Sequence, residues 1–329
     1  MSQGKSSDDV ADLFGRPASS ERSRALYGSY RRKTLESFLD AIASAAEGLE
    51  MDLDHIRARI QRLDPAKPLA PGTFEAFSQL AGALRSGNVT HVVDRLKHIQ
   101  VAPDETFSDT AFRVESALSE PWERSVVLAA RAEVEEVGDT PMILRPLLEK
   151  DPSHLFTDVF TARKYIEEVA PGIASELGEY VTRVKLFRGR GFLGFSSPRA
   201  FGAIYMRLPD ENPVEYFLEH LVHEVSHLDL NLLMAHDPLL ENPGELHSAP
   251  LRPDPRPLFQ VLHATYVLNR NVIVTRALIG EGTDLRLAES RRDFERSYAE
   301  GYAVLESHAR WTTLGRTLFE ALVTPDPGA

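Results

Sequence analysis

Apolar residues recur at helical spacing through the first part of the chain. Phe38, Ile42, Ala45 and Leu49 are three or four residues apart, which puts them on one face of a helix. Phe74, Phe77, Leu80 and Leu84 repeat the pattern after the breaker Pro71-Gly72, and Val92, Val93, Leu96 and Ile99 give a shorter stretch. The chain therefore reads as helical from Arg24 to about Val134. Asp151-Pro152 reads as a turn, and Phe160 to Tyr180 as a long helix restarted at Pro171-Gly172. The pattern changes near Tyr180. Val181 to Phe187, Phe192 to Ser197 and Gly202 to Leu208 read as three short strands, which predicts a small antiparallel sheet.

After Pro213 the helical period returns. Phe217, Leu221, Val225, Leu228 and Leu232 form a stripe on a helix expected to run to about Ala235. Asn212, Pro213 and Glu215 suit its N-cap, its first position and a capping box. A second long helix is expected from Pro257 to Ile279, closed by Gly280. The expected fold is α+β and mostly α. Residues 1–20 form a polar, flexible N-terminus. Residues 21–175 form a helical region, either a platform or a docking domain for a peptide. Residues 176–329 form a zincin-like region with a small antiparallel sheet.

The motif helix carries His223-Glu224-Val225-Ser226-His227, an HExxH pattern. Residues four apart stack on one helix face, so both imidazoles reach one metal ion. In a metallopeptidase the Glu224 carboxylate is the general base on metal-bound water. Two histidines leave such a site incomplete, because a catalytic metal takes three protein ligands and keeps a position open. His263, a polar residue in the next mostly apolar helix, is the candidate third ligand. His236, His247 and His308 are possible substitutes, and His220 sits one turn before His223. No carboxylate follows His263 as in thermolysin-like peptidases. No third histidine follows in the short Gly-containing extension of the metzincins.

Composition narrows the chemistry. The 329 residues contain no cysteine, which excludes disulfides, thiolate metal sites and a cysteine nucleophile. Eleven histidines remain as nitrogen donors. Lys and Arg number 37 against 49 Asp and Glu, a net charge of −12, which argues against a general nucleic-acid binder. The polar start has no apolar export segment, and the most apolar stretch, Tyr266 to Ile279, is broken by Asn269, Arg270, Asn271 and Arg276. A cytoplasmic location without membrane attachment is the expectation.

Three passages resemble the HExxH-containing peptide-modification family of ribosomal peptide natural-product clusters. They are Leu221 to His227, Ala249-Pro250-Leu251-Arg252-Pro253-Asp254-Pro255-Arg256-Pro257, and Leu262-His263-Ala264-Thr265-Tyr266. Thr312 to Arg316 fits the family's tail, and coverage is roughly 180–320. Leu251 stands where the family usually has Trp. The resemblance implies an Fe(II)- and 2-oxoglutarate-dependent β-hydroxylase acting on a ribosomally made precursor peptide with O2. It also implies His223, His227 and His263 as iron ligands. A bound 2-oxoglutarate needs a cation for its distal carboxylate, and Arg252 and Arg256 lie in a proline-stiffened segment before the His263 helix. The alternatives are a zinc metallopeptidase and a non-catalytic peptide-binding module.

Overall fold

The computed structural model describes residues 18–323 apart from 50, 109, 136–140, 150, 152 and 284. Most of the expected flexible N-terminus, and Pro152 of the expected turn, lie outside the described residues. In chain order the elements are α1 (Ser20–Leu49), α2 (Asp54–Gln61), α3 (Pro71–Arg85), α4 (Val89–Val101), α5 (Glu105–Ser108), β1 (Arg113–Ser116), α6 (Glu123–Glu135) and β2 (Ile143–Arg145). Then come α7 (His154–Val169), α8 (Pro171–Tyr180), β3 (Arg183–Arg190), β4 (Gly194–Ser196), a 3₁₀ turn (Pro198–Ala200) and β5 (Ala203–Arg207). The chain finishes with α9 (Pro213–Met234), β6 (Leu246–His247), β7 (Arg256–Pro257), α10 (Leu258–Gly280), α11 (Ala288–His308) and α12 (Thr313–Glu320). The fold is α+β and mostly helical. No described helix is long and apolar enough to cross a membrane.

The chain divides into two compact units, each built from separated stretches. One is Met1–Leu26, Pro152–Glu179 and Pro209–Ala329; the other is Tyr27–Asp151 and Tyr180–Leu208.

The second unit holds a five-stranded sheet in the order β1-β3-β5-β4, with β2 also paired to β3. The sheet is mixed, not antiparallel as the three successive strands suggested. β4 folds across to the far side of β5, so the chain re-enters β5 running parallel to β3, with Val184 opposite Ile204. The consequence for Gly202 to Leu208 is direct. β5 is flanked by β3 and β4, so it is an interior strand of the sheet. β1 lies in the stretch that reads as helical, because four residues are too few for a two-residue period to stand out. Two glycines are dictated by close approach. A Cβ on Gly189 would come within 1.9 Å of the Ile143 carbonyl oxygen in β2, and Gly202 turns into β5 with a φ of +94°.

The first five residues of β3, Arg183 to Phe187, are buried on both faces, including Lys185, whose ammonium meets Glu115 at 2.6 Å and Glu123 at 2.9 Å. Trp122, Phe187, Ala203 and Tyr205 pack on this sheet, and Tyr27, Phe74, Tyr180 and Phe201 form an aromatic cluster beside it.

In the first unit, α9 packs on α7 and on α10, and α10 packs on α11. The stripe Phe217, Leu221, Val225, Leu228 and Leu232 is fully buried, as the spacing requires. Each such side chain contributes about 1.5–3 kcal/mol on burial. Pro213 occupies the first turn of α9 as expected, but the capping box does not form. Asn212 is left-handed with φ 46°, its side chain makes no cap bond, and Glu215 accepts instead from the backbone N–H of Arg286. Gly280 also departs from expectation. It stays within α10, and the positive φ that ends the turn falls on Gly282.

Candidate metal centre

α9 places His223 and His227 one turn apart with half-buried rings, and their Nε2 atoms are 3.1 Å from each other. Two nitrogens bound to one metal at about 2.1 Å lie roughly 3.0–3.4 Å apart. The pair is therefore spaced as two ligands of a single ion. His263, from the second turn of α10, joins them. Its Nδ1 lies 3.4 Å from Nδ1 of His227, with ring centroids 5.6 Å apart.

The three rings touch, but they do not converge. His227 turns Nε2 toward His223 and Nδ1 toward His263, while Nε2 of His263 meets the Met234 thioether at 3.2 Å. Among the described residues, no group of three His, Asp or Glu side chains stands arranged to hold an ion. Met234 was not anticipated. It sits seven residues after His227, about two turns along the same face, and that spacing was the available signal.

Burial lowers the basicity of all three imidazoles. It pulls His223 down to about 4, with His220 adding to the effect, and it pulls His263 down to about 4. His227 lies well below the usual range, through burial and then through its two neighbours. Neutral imidazoles are the form that binds metal.

His220 lies on the next turn back. Its Nδ1 is 2.8 Å from the Tyr216 carbonyl, and its ring stacks on Tyr216 at 4.0 Å. Glu224 is 2% exposed, so the motif carboxylate is held inside the helix packing. His247 and His308 stack on each other at 4.2 Å.

No protein-family model matches this chain, and no curated protein matches it significantly. The site must be read from its own residues. Of the two proposed cosubstrate arginines, Arg256 sits on β7, where its Nη2 binds Asp254 at 2.9 Å and its buried Nε has no hydrogen-bond partner among the described residues. Arg252 is exposed in the preceding turn, next to Leu251, which is itself exposed with φ 63°. In the other unit Arg188 is bound by Asp151 through Nε at 2.6 Å, and Arg190 is exposed.

Behind the histidines lies a buried ionic cluster that the residue pattern did not disclose. Asp229, two residues past His227, accepts from Arg22 Nη1 and Nη2, each at 2.9 Å, and from the Tyr266 hydroxyl at 2.6 Å. Arg270 donates to Tyr266 at 2.9 Å and forks onto Glu176. The cluster ties α1, α8, α9 and α10 together through residues far apart in sequence. Its only local clue was Arg270, a charged residue inside an apolar helix.

Proposed function

We propose that this chain is a cytoplasmic Fe(II)- and 2-oxoglutarate-dependent hydroxylase that places a hydroxyl on the β-carbon of a side chain in a ribosomally made precursor peptide. One observation carries the proposal. His223 and His227 present Nε2 atoms 3.1 Å apart with His263 in contact, and these are the residues that the family resemblance assigns to iron. On the same grounds we read the motif-helix region as zincin-like.

The donor chemistry fits such a group. Three imidazoles kept neutral by burial suit Fe(II) as well as Zn(II), and open positions rather than affinity decide between them. Iron with bound 2-oxoglutarate would supply the activation of O2. The chain's own residues bind and orient. His223 and His227 would hold the metal through Nε2, and His263 would complete the set once its ring turns from Met234 toward them. Arg252 or Arg256 takes the distal carboxylate of the cosubstrate, where a guanidinium fork is the better partner. Glu224 is buried beside the two histidines and is not needed here as the base on water, the role it has in the peptidase reading.

The test is anaerobic loading of the purified chain with Fe(II), 2-oxoglutarate and precursor peptide, followed by O2. A singly oxygenated peptide and an equivalent of succinate are expected. Zinc-dependent cleavage without 2-oxoglutarate, lost in Glu224→Gln with metal retained, would replace this reading with a metallopeptidase. Absence of stoichiometric metal after loading would remove both.

A further inference from the structure

The unit that holds the sheet carries a groove of about 480 Å³ where β2 meets the end of β3. Arg145, Arg188 and Arg190 line it with Ile143, Pro146 and Leu148, and no carboxylate lines it among the described residues.

The strand register explains the cluster. Arg145 stands directly opposite Arg188, and Ile143 opposite Arg190. Side chains directly opposite one another, or two apart on one strand, point to the same face. All three guanidiniums therefore leave the β2–β3 ribbon on one face. The other face carries Leu144, which packs with the Trp122 and Phe187 cluster. Like charges at opposite positions cost stability. Their charge is only partly offset. Asp151 places Oδ1 on Arg188 Nε at 2.6 Å and Oδ2 on the Leu148 backbone N–H at 2.7 Å. Arg145 and Arg190 are exposed and have no ion pair among the described residues.

Two further features narrow the occupant. Among the described strands β2 pairs on one side only, with β3. Beside it Leu148 is 52% exposed. A free phosphate uses neither an open strand edge nor a leucine. An extended chain with alternating acidic and apolar residues uses both, because its two-residue period matches that of the strands.

We propose that this groove docks an acidic peptide segment, extended beside β2. Carboxylates two residues apart in the segment fall on the arginine face and meet Arg145 and Arg190. Arg188, held by Asp151, adds its charge, and an apolar residue of the segment covers Leu148. A chain of net charge −12 repels acidic peptides at long range, so the local cluster selects where one lands. The peptide-modifying reading would gain a second contact from this groove, but docking needs no metal, so the two fail separately.

The probe is the fluorescein-labelled peptide Gly-Glu-Leu-Glu-Leu-Glu-Gly, titrated into the full metal-free chain and followed by fluorescence anisotropy. Peptides with Gln or Lys in place of Glu are the controls. Saturable binding is expected for the Glu peptide alone, weakening as salt is raised. Arg145→Thr and Arg190→Thr should each weaken it about tenfold, the loss of one charge-assisted hydrogen bond. Arg296→Ala, which removes an exposed charge in the other unit, should leave it unchanged. Losing Arg145 relieves its repulsion with Arg188, so the melting temperature of Arg145→Thr should hold level or rise. Binding indifferent to both arginine variants, or equal for the Gln peptide, would overturn the docking site. So would a fall in melting temperature in both variants, which would make the arginines structural. Saturable binding of inorganic phosphate, lost in Arg190→Thr, with the Glu peptide unbound, would overturn the choice of a peptide.

Discussion

His263 shows how much rides on one side-chain torsion. Its Nδ1 touches His227 while its Nε2 faces Met234. Met234→Leu keeps the volume and removes the sulfur, so it should cost less than about 1.5 kcal/mol of stability. Metal stoichiometry in that variant should stay intact by elemental analysis. His223→Ala or His227→Ala should lower metal affinity by two orders of magnitude or more, read by competition with a chromogenic chelator. The imidazole basicities give a signed prediction for metal-free protein. His223 and His263 protonate near 4 when folded and near 6.5 when unfolded. Between those values the unfolded chain binds more protons. Their contribution to stability is therefore full above pH 6.5 and lost as pH falls toward 4, which urea titrations at pH 7.5 and 5 should register.

At the level of elements, the entry to α9 is set by backbone conformation and not by a side-chain cap. Asn212 holds a left-handed φ of 46° ahead of Pro213. Asparagine tolerates that region, and a β-branched residue does not. Asn212→Val should cost about 1–2 kcal/mol and Asn212→Gly little, measured by thermal melting. The β2–β3 pairing is as exacting. Gly189→Val would drive its side chain into the Ile143 carbonyl, so hydrogen exchange should rise at Ile143, Leu144 and Arg145 before the rest of the sheet. The helices were legible because their stripes repeat within each segment. The direction of β5 was not, because it depends on where β4 crosses, a matter of pairing between segments.

At the scale of the whole molecule, each unit encloses a buried ionic group: Lys185 with Glu115 and Glu123 in one, and Arg22, Glu176, Asp229 and Arg270 in the other. Removing one member leaves the others charged and uncompensated in a medium that solvates them poorly. Asp229→Ala should therefore destabilise the chain by about 3–5 kcal/mol in urea unfolding, while an exposed pair such as Arg296 with Asp293 should contribute under about 1 kcal/mol. These two clusters mark where reading the chain as a string stops. Sequence alone determined the α9 stripe, the stacking of His223 over His227 and the absence of sulfur ligands from cysteine. Those follow from helical period and composition, which are local. Tertiary structure decided that His263 meets His227, that Met234 lies against it, and that Arg22 reaches Asp229 across 207 residues. Buried charges must find partners wherever the chain brings them, and no spacing rule within a helix records that distance.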